Sequence, residues 1–238
     1  MRNIFILMLV VLFSFYSCEK ANDIVENSDE PLTDAQIAEG LKEALKVGTD
    51  TAVTIVSKVD GYFGDSLIKI FLPPDADKMN AVAADLGIEQ QITDLILMVN
   101  RSAEDAAPEA VDIFVAAITN MTITDAVNIL HGSDSAATHF LRDNTYFELY
   151  QTFKPKIETS LDKELVLGAS ANDTWISVTS TYNEAYPADP VDTNLSTHVT
   201  EKALDGLFEK IKEEEKQIRE DPLARVNDIL KQVFGELD

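Results

Sequence analysis

The chain has 238 residues and a formal net charge of −23, because 42 Asp and Glu residues outnumber 19 Lys and Arg residues. Nucleic-acid binding depends on basic side chains that neutralise phosphates, so this chain is unsuited to it. An anionic membrane surface repels it as well. The acidic residues form either a solvated surface or sites that bind cations. A single cysteine excludes disulfides within the chain, so core packing has to supply the stability.

The N-terminus has the pattern of an export signal. Residues 1–3 give a positive start, residues 4–16 are mostly apolar, and Ser17 is a small residue directly before Cys18. The apolar run is shorter than the roughly 20 residues that cross a bilayer, so it predicts a signal peptide over residues 1–17. Bacterial lipoproteins are cleaved before a cysteine that then carries the lipid, which makes Cys18 the predicted lipid attachment site. An ordinary signal peptide with an incidental cysteine is the alternative.

Residues 18–32 are polar and acidic and have no sustained apolar period. They predict a flexible tether, and about 13 such residues reach roughly 20 Å. We therefore expect an exported protein in the bacterial cell envelope, for example on the outer membrane, facing the periplasm or the cell surface. Its membrane contact is expected through the lipid on Cys18 and not through a basic protein face.

After the tether, apolar residues recur at helical spacing. Thr33 predicts the start of a first helix and Gly48 its end, and residues 51–59 predict a second short helix. The run 67–72 is the one strand-like segment, either a short strand or a buried extended stretch. Residues 75–86 are predicted to be helical.

The centre of the chain is rich in alanine at helical spacing, which lets helix backbones approach closely. Helices are predicted over 92–107 and over 110–118, with Pro108 in the first turn of the second. Residues 125–130 predict a further short helix.

Ser133 and Asp134 predict the cap of a long helix, which Pro155 should kink or break. The remaining predicted helices are 175–186, then 199–218, in which residues 213–215 face mostly water, and a last helix that opens at Pro222. No strands alternate with helices and no repeat of fixed period is present. The sequence therefore predicts one all-α domain over residues 33–238, a single irregular multi-helix bundle.

Several short segments occur in an order and spacing typical of one protein family. They are 40–45 (GLKEAL), 60–62 (DGY), 100–108 (NRSAEDAAP), 132–138 (GSDSAAT), 199–208 (VTEKALDGLF) and 213–219 (EEEKQIR). With these segments the chain resembles a bacterial exported-protein family, domain of unknown function family 4197, over about residues 37–235. The resemblance implies a helical domain and export. It implies no known activity, so it assigns no catalytic residue.

The best polar constellation lies within an alanine-rich helix, where side chains three and four residues apart share a face. Glu104 and Arg101 are the candidate catalytic pair if the cluster opens onto a cleft suited to acid/base chemistry. The alternative is a buried network that fixes helix register. The full candidate cluster is Asn100, Arg101, Glu104, Asp134, Arg142 and Glu201.

Motifs for other chemistries are missing from the sequence. His131, His139 and His198 are the only histidines, and none forms a Glu-x-x-His or His-x-x-x-His pair, which argues against zinc peptidase and di-iron sites. There is no nucleophile elbow, phosphate-binding glycine loop or dinucleotide fingerprint. We therefore predict no metal site and no cofactor.

The sequence is compatible with two main functions and with a third that has weaker support. The first is a non-catalytic envelope protein that binds a protein partner or a small apolar ligand between helices. The second is a hydrolase or lyase that uses a carboxylate and an arginine in an inter-helix cleft. The third is cation storage or sensing by the acidic surface. The aromatic residues Tyr146, Phe147, Tyr150 and Phe153 either line an apolar pocket or belong to the core.

Overall fold

The computed structural model describes residues 32–225 and 228–235. The predicted signal peptide 1–17, the predicted lipid site Cys18 and the tether up to residue 31 lie outside the described residues. Within the described ranges the chain is all-α, and the only β-type pairing is an isolated bridge between Val166 and Ala169. This confirms the predicted fold class.

The helices of the described residues are α1 Asp34–Val56, α2 Ala76–Asn80, α3 Ala83–Leu86, α4 Glu89–Ala106, α5 Ala110–Asn120, α6 Ile123–Leu130, α7 Ala136–Leu161, α8 Ala171–Ala185, α9 Ser196–Glu220 and α10 Asp228–Gly235. At the centre, the long helix α9 packs against the long helices α1 and α7. Around them, α4 and α5 pack on α7, α6 and α10 pack on α1, and α8 packs on α4. A 3-10 turn, Ala107–Glu109, contains Pro108 and joins α4 to α5.

No single helix in the described part of the chain has the length and hydropathy of a membrane span. Only a pair bent by 102°, Glu89–Asn120 with Ile123–Leu130, passes that test jointly.

Helix α1 begins where the sequence predicts. The Thr33 hydroxyl accepts a hydrogen bond from the backbone N–H of Gln36, and the Gln36 side chain accepts one from the N–H of Thr33. Together these bonds form a capping box, which satisfies two amides that have no partner in the first turn. The start of α1 is thus encoded by adjacent residues.

The predicted helix end at Gly48 is wrong, because α1 continues to Val56. It includes residues 51–56 of the predicted second helix 51–59, and residues 57–59 lie in the turn after α1. The apolar spacing continues past Gly48, so the buried face of α1 is continuous. A glycine inside a helix costs about 1 kcal/mol. Burying Val53 and Val56 contributes about 1.5–3 kcal/mol for each side chain, so packing outweighs the local signal.

The predicted interruption at Pro155 did not end the helix, since α7 continues through Pro155 to Leu161. An internal proline removes one backbone hydrogen bond and costs about 3 kcal/mol. The flanking turns bury Phe153, Ile157 and Leu161 in the core, and each of these contributes about 1.5–3 kcal/mol. Tertiary packing again decides where the helix ends.

The predicted cap of α7 at Ser133 and Asp134 is wrong, because α7 begins after them and no neighbouring side chain caps it. Instead, Glu215 of α9 accepts the backbone N–H of Ala137 at 3.0 Å and that of Thr138 at 2.8 Å. A carboxylate at a helix N-terminus is favoured by the exposed amides and by the helix dipole. The cap comes from a residue far away in the sequence.

Glu215 also pairs with Arg219, whose Nη2 lies 3.0 Å from its carboxylate. Arg219 in turn donates to the carbonyls of Ile129 at 2.9 Å and Leu130 at 3.1 Å, at the C-terminus of α6. The prediction that residues 213–215 face water is therefore wrong for Glu215, which is buried. The ion pair Glu215–Arg219 of α9 thus provides hydrogen-bond partners for carbonyls at the C-terminus of α6 and for amides at the N-terminus of α7.

Residues 75–86 form the two short helices α2 and α3 and not the single predicted helix. The N–H of Val82 bonds to Met79 three residues back, a tighter 3-10 pattern that ends α2. Gly87 ends α3 with a φ of 69°, a left-handed conformation that favours glycine.

The four aromatic side chains of α7 differ in their burial. Phe153 is fully buried, and Tyr146 and Tyr150 are half-buried against the core. Phe147 points outward and is 76% exposed. The core interpretation holds for three of the four residues and fails for Phe147.

Candidate functional site

Residues 57–72, between α1 and α2, have no helix or strand and lie across α4 and α9; we call them the covering segment. On the α9 side, the Tyr62 hydroxyl donates to the carbonyl of Ala203 at 2.7 Å. Further along, His198 Nε2 lies 2.9 Å from the carbonyl oxygen of Phe71. Because α4 and α9 have few direct contacts with each other, the covering segment is what joins them on this side.

Glu104 of α4 holds the first half of the covering segment. Its Oε1 accepts the backbone N–H groups of Tyr62 at 3.1 Å and Phe63 at 3.3 Å. Its Oε2 accepts from Arg101 at 2.6 Å, and Arg101 also donates to Asp60 at 2.7 Å. The Glu104 side chain is only 5% exposed, so both carboxylate oxygens are engaged inside the protein.

The turn after α1 places Asp60 for this network. Asp60 adopts a φ of 68°, a left-handed conformation that Asp tolerates better than most residues. At the next position, a Cβ on Gly61 would lie 2.6 Å from the carbonyl oxygen of Val56. The Asp60-Gly61 pair therefore allows a tight reversal that no larger residue at position 61 would fit.

Asn100 of α4 holds the second half of the covering segment. Its side-chain oxygen accepts the N–H of Ile70 at 2.9 Å, and its Nδ2 donates to the carbonyls of Ile70 at 2.7 Å and Ile96 at 2.6 Å. The amide thus takes the place of a neighbouring strand for one residue, and it satisfies buried backbone groups that need partners. In the strand-like run 67–72, residues 67 and 68 belong to a turn, in which the N–H of Lys69 bonds to the carbonyl of Asp65 at 2.8 Å, and residues 69–72 have no strand partner.

A glycine of α9 allows the covering segment to approach closely. The Tyr62 ring is fully buried over Gly206, where a Cβ would lie 2.7 Å from Tyr62 Cε1 and 3.1 Å from Ile68 Cβ. Burial, together with the nearby charge of Glu104, raises the pKa of the Tyr62 phenol. Tyr62 therefore stays a neutral donor to α9.

An ion pair fixes the tip of the covering segment to α9. Lys210 Nζ lies 2.5 Å from Asp65 and 2.6 Å from Glu213, and the lysine side chain is nearly buried. The hydrogen bond from Lys210 lowers the pKa of Asp65. Burial alone would lower the pKa of Lys210, but its bonds to Asp65 and Glu213 raise it, so the pair stays charged near neutral pH.

Arg142 lies apart from the α4 network. It pairs with Asp205 of α9 at 2.9 Å. Its guanidinium lies 4.9 Å from the ring centre of Tyr146 and 5.2 Å from that of Phe208, within the range of a cation–π contact. Arg142 therefore links α7 to α9 at the surface.

The six predicted cluster residues do not meet in one cleft. Three of them, on α4, hold the covering segment, and Arg142 lies on the α7–α9 seam. Asp134 and Glu201 are exposed and make no side-chain hydrogen bond or ion pair in the described part of the chain. Nor do three His, Cys, Asp or Glu side chains gather as metal ligands among the described residues.

The outer face of the covering segment is apolar. Val59 is 76% exposed, Leu67 73% and Phe71 59%. Between them the Lys69 ammonium lies 3.8 Å from the ring centre of Phe63 and 5.9 Å from that of Phe71. Large apolar side chains thus project from a stretch of backbone that is fixed on its inner side.

A groove of about 290 Å³ runs between the covering segment and α9. Leu67 and Lys69 line one wall, and Lys202, Asp205 and Glu209 line the other. By contrast, the enclosed space between α1, α7, α9 and α10 is only about 20 Å³, room for about one water molecule. The surface groove, and not this interior space, is large enough for a ligand group.

Residues 31–235 match the model of a family described as "Protein of unknown function (DUF4197)". The chain belongs to the DUF4197 family. This confirms the resemblance seen in the sequence, over nearly the same residues. No curated protein and no solved structure matches the chain.

Five of the six short segments that carry the DUF4197 resemblance meet in two places. Segments 60–62, 100–108 and 199–208 come together where Glu104 and Tyr62 join α4, the covering segment and α9. Segments 132–138 and 213–219 meet where Glu215 caps α7. The family pattern in this chain thus marks two polar junctions between distant elements.

Sequence reasoning found Asn100, Arg101 and Glu104 because polar side chains interrupt an apolar helix face. It missed Asp60 and Lys210, whose partners are brought together only by the fold. The exposed face was missed as well, since the run 67–72 has the composition of a buried strand.

Proposed function

We propose that this protein is an exported lipoprotein, cleaved before Cys18 and tethered by the lipid there, that binds a partner protein through the outer face of the covering segment. The observation that carries the binding role is the contrast between the two faces of that segment. Its inner face is fixed by Glu104 and Asn100. Its outer face exposes three large apolar side chains.

This contrast supports binding for two physical reasons. Burying a carboxylate and an arginine is costly unless every bond is made, and here the bonds hold one irregular segment in place. Exposed apolar side chains that are grouped on a surface typically mark interaction sites, and here Leu67 lines the same groove as Lys69, whose ammonium lies 5.9 Å from the ring centre of Phe71. A rigid scaffold that presents an irregular segment is a common architecture for binding.

The other functions receive less support from the geometry. A small apolar ligand between helices needs a mostly apolar pocket of about 300 Å³ or more. The apolar space beside α1 is about 20 Å³, and the larger openings, of about 670 Å³ beside Lys42 and about 400 Å³ beside Glu158, are each lined by several charged or polar side chains. A hydrolase or lyase needs a carboxylate that reaches its substrate, whereas Glu104 is 5% exposed and already accepts three hydrogen bonds.

Site-specific photo-crosslinking in the host tests the binding role. A photoreactive amino acid replaces Leu67 in one strain and, as a matched control, Phe147 in another, because the two side chains are exposed to a similar degree, 73% and 76%. We expect a protein adduct of defined mass from position 67 and none from position 147. No adduct from position 67, or the same adducts from position 147, would contradict the proposal.

Labelling with a lipid precursor tests the anchor. The wild-type chain should incorporate a radiolabelled fatty acid and sediment with membranes, while Cys18→Ala should incorporate none and should not be processed at residue 17. Since Cys18 is the only cysteine, no second thiol can take the label. Unchanged incorporation in Cys18→Ala would show that the anchor is elsewhere.

A further inference from the structure

Building on the proposed function, we infer that the outer face of the covering segment binds a stretch of its partner in which carboxylates alternate with apolar side chains. The inference comes from the charges that the fold leaves free on this face. They are opposite in sign to the net charge of the molecule, which is −23.

The carboxylates of the covering segment already have partners on α4 and α9. Asp60 pairs with Arg101 of α4 and Asp65 with Lys210 of α9. The lysines of the segment have no such partner: Lys58 and Lys69 make no ion pair with any described residue. An incoming anion therefore finds unpaired lysines on the segment, whereas an incoming cation finds carboxylates that are already bound.

Lys69 is held in place for an incoming anion. Its ammonium lies over the Phe63 ring at 3.8 Å and near Phe71 at 5.9 Å, contacts that orient a cation without neutralising it. Leu67 and Phe71 are exposed on either side of it in the sequence. A carboxylate at Lys69 would therefore be flanked by two apolar contacts.

The opposite wall of the groove repeats this pattern. Asp205 is shared between Arg142 at 2.9 Å and Lys202 at 3.4 Å, so two cations face one carboxylate. Glu209 is paired with Lys212 at 3.1 Å. Both carboxylates that line the groove, Asp205 and Glu209, thus already have cations, whereas Lys69 has no carboxylate partner among the described residues.

The charge of the molecule favours a protein over a membrane surface. Each basic residue near an anionic membrane contributes about 1 kcal/mol, so two lysines on a chain of net charge −23 make weak attraction to anionic lipid.

Peptide binding to the full chain, held in phosphatidylcholine nanodiscs, tests the inference. Three fluorescent peptides of equal length alternate Leu with Glu, with Gln or with Lys, and binding is followed by anisotropy at low and at physiological salt. We expect the Leu/Glu peptide to bind at least tenfold more tightly than the Leu/Gln peptide, and this difference to shrink as salt screens the charges.

Charge reversal identifies the surface that binds. The double variant Lys58→Glu, Lys69→Glu should bind the Leu/Glu peptide at least tenfold more weakly than the wild type. The control variant Lys46→Glu, Lys154→Glu changes the net charge equally, at lysines that also lack an ion pair among the described residues. The affinity of this control variant for the Leu/Glu peptide should fall less than threefold.

Three outcomes would overturn the inference: equal binding of the Leu/Gln peptide, equal loss in both double variants, or binding of phosphatidylglycerol vesicles that requires Lys58 and Lys69 while no peptide binds. The proposed function fails separately, if position 67 yields no protein adduct in the host. Adducts from position 67 combined with a preference for the Leu/Gln peptide would keep the function and reject the acidic partner.

Discussion

Glu104 shows how a residue that forms part of a pattern typical of catalytic sites can serve a structural role. A carboxylate and an arginine three residues apart on an apolar helix are also what an acid/base site requires. The number and direction of the hydrogen bonds decide between the two roles. Both oxygens of Glu104 accept bonds from backbone amides or from Arg101, which occupies three of the roughly four acceptor positions of a carboxylate, and the side chain is only 5% exposed to any substrate.

The substitution Glu104→Gln tests this assignment. It keeps the size of the side chain but turns a donor toward Arg101 and removes the negative charge. We expect the free energy of unfolding to fall by about 2 kcal/mol. For a domain of this size that lowers the Tm in thermal melts by roughly 4–8 °C.

The matched control is Glu148→Gln, an exposed glutamate of α7, for which we expect a Tm within about 1 °C of the wild type. A Glu104→Gln variant as stable as this control would return Glu104 to the list of candidate catalytic residues.

Asp65 makes the attachment of the covering segment dependent on pH. Its pKa in the folded chain is lowered by Lys210, below the unfolded value of about 3.9. The folded state therefore binds fewer protons than the unfolded state, and the stabilisation is complete above the unfolded pKa and lost as the pH falls through the folded pKa.

We therefore expect Asp65→Asn to be less stable than the wild type at pH 7, by less than about 1 kcal/mol because the pair is partly solvated. As the pH falls below about 5 this gap should narrow, and it should close once the pH lies below the lowered pKa of Asp65 in the folded chain. Urea melts at each pH measure it, with the exposed Asp85→Asn as the control for acid effects elsewhere. A gap that stays constant down to pH 3 would mean that the Asp65–Lys210 pair does not stabilise the fold.

At the scale of elements, the sequence predicts where helices exist better than where they end. The all-α class, the capped start of α1 and the end of α3 at Gly87 follow from adjacent residues. Gly48 and Pro155 fail as helix ends because the packing of Val56 and Ile157 lies outside any local window. Likewise Asn100 and Glu104 were singled out from spacing, but their partners in the covering segment lie 30 to 42 residues away and follow only from the fold.

The start of α7 is the clearest case of a helix end set from a distance. Glu215→Gln should leave α7 formed but loosen its first turn, because a neutral amide holds the N–H groups of Ala137 and Thr138 less strongly than a carboxylate. Hydrogen exchange should therefore become about tenfold faster at these two amides.

Glu214→Gln is the control from the neighbouring position. Glu214 makes no side-chain hydrogen bond or ion pair with any described residue, so removing its charge should leave amide exchange in α7 unchanged. Equal protection of Ala137 in both variants would show that the cap of α7 does not depend on Glu215.

For the whole molecule, the net charge of −23 acts against the compact state, since like charges are closer together in it than in the unfolded chain. The ion pairs act in the opposite direction. Most of them are solvent-exposed, such as Lys216–Glu220 at 3.8 Å, and such pairs contribute little. The buried pair Glu215–Arg219 is largely protected from salt.

Added salt distinguishes which of these effects dominates. Between 10 mM and 150 mM NaCl the screening length falls from about 30 Å to about 8 Å, which weakens repulsion across the whole surface while short, buried pairs change little. We expect the Tm to rise by several degrees over this range in calorimetry. Glucose at matched osmolarity is the control for excluded-volume effects and should raise the Tm less. A Tm that falls with NaCl would show that surface ion pairs outweigh repulsion, and the acidic surface would then stabilise the fold through its pairs.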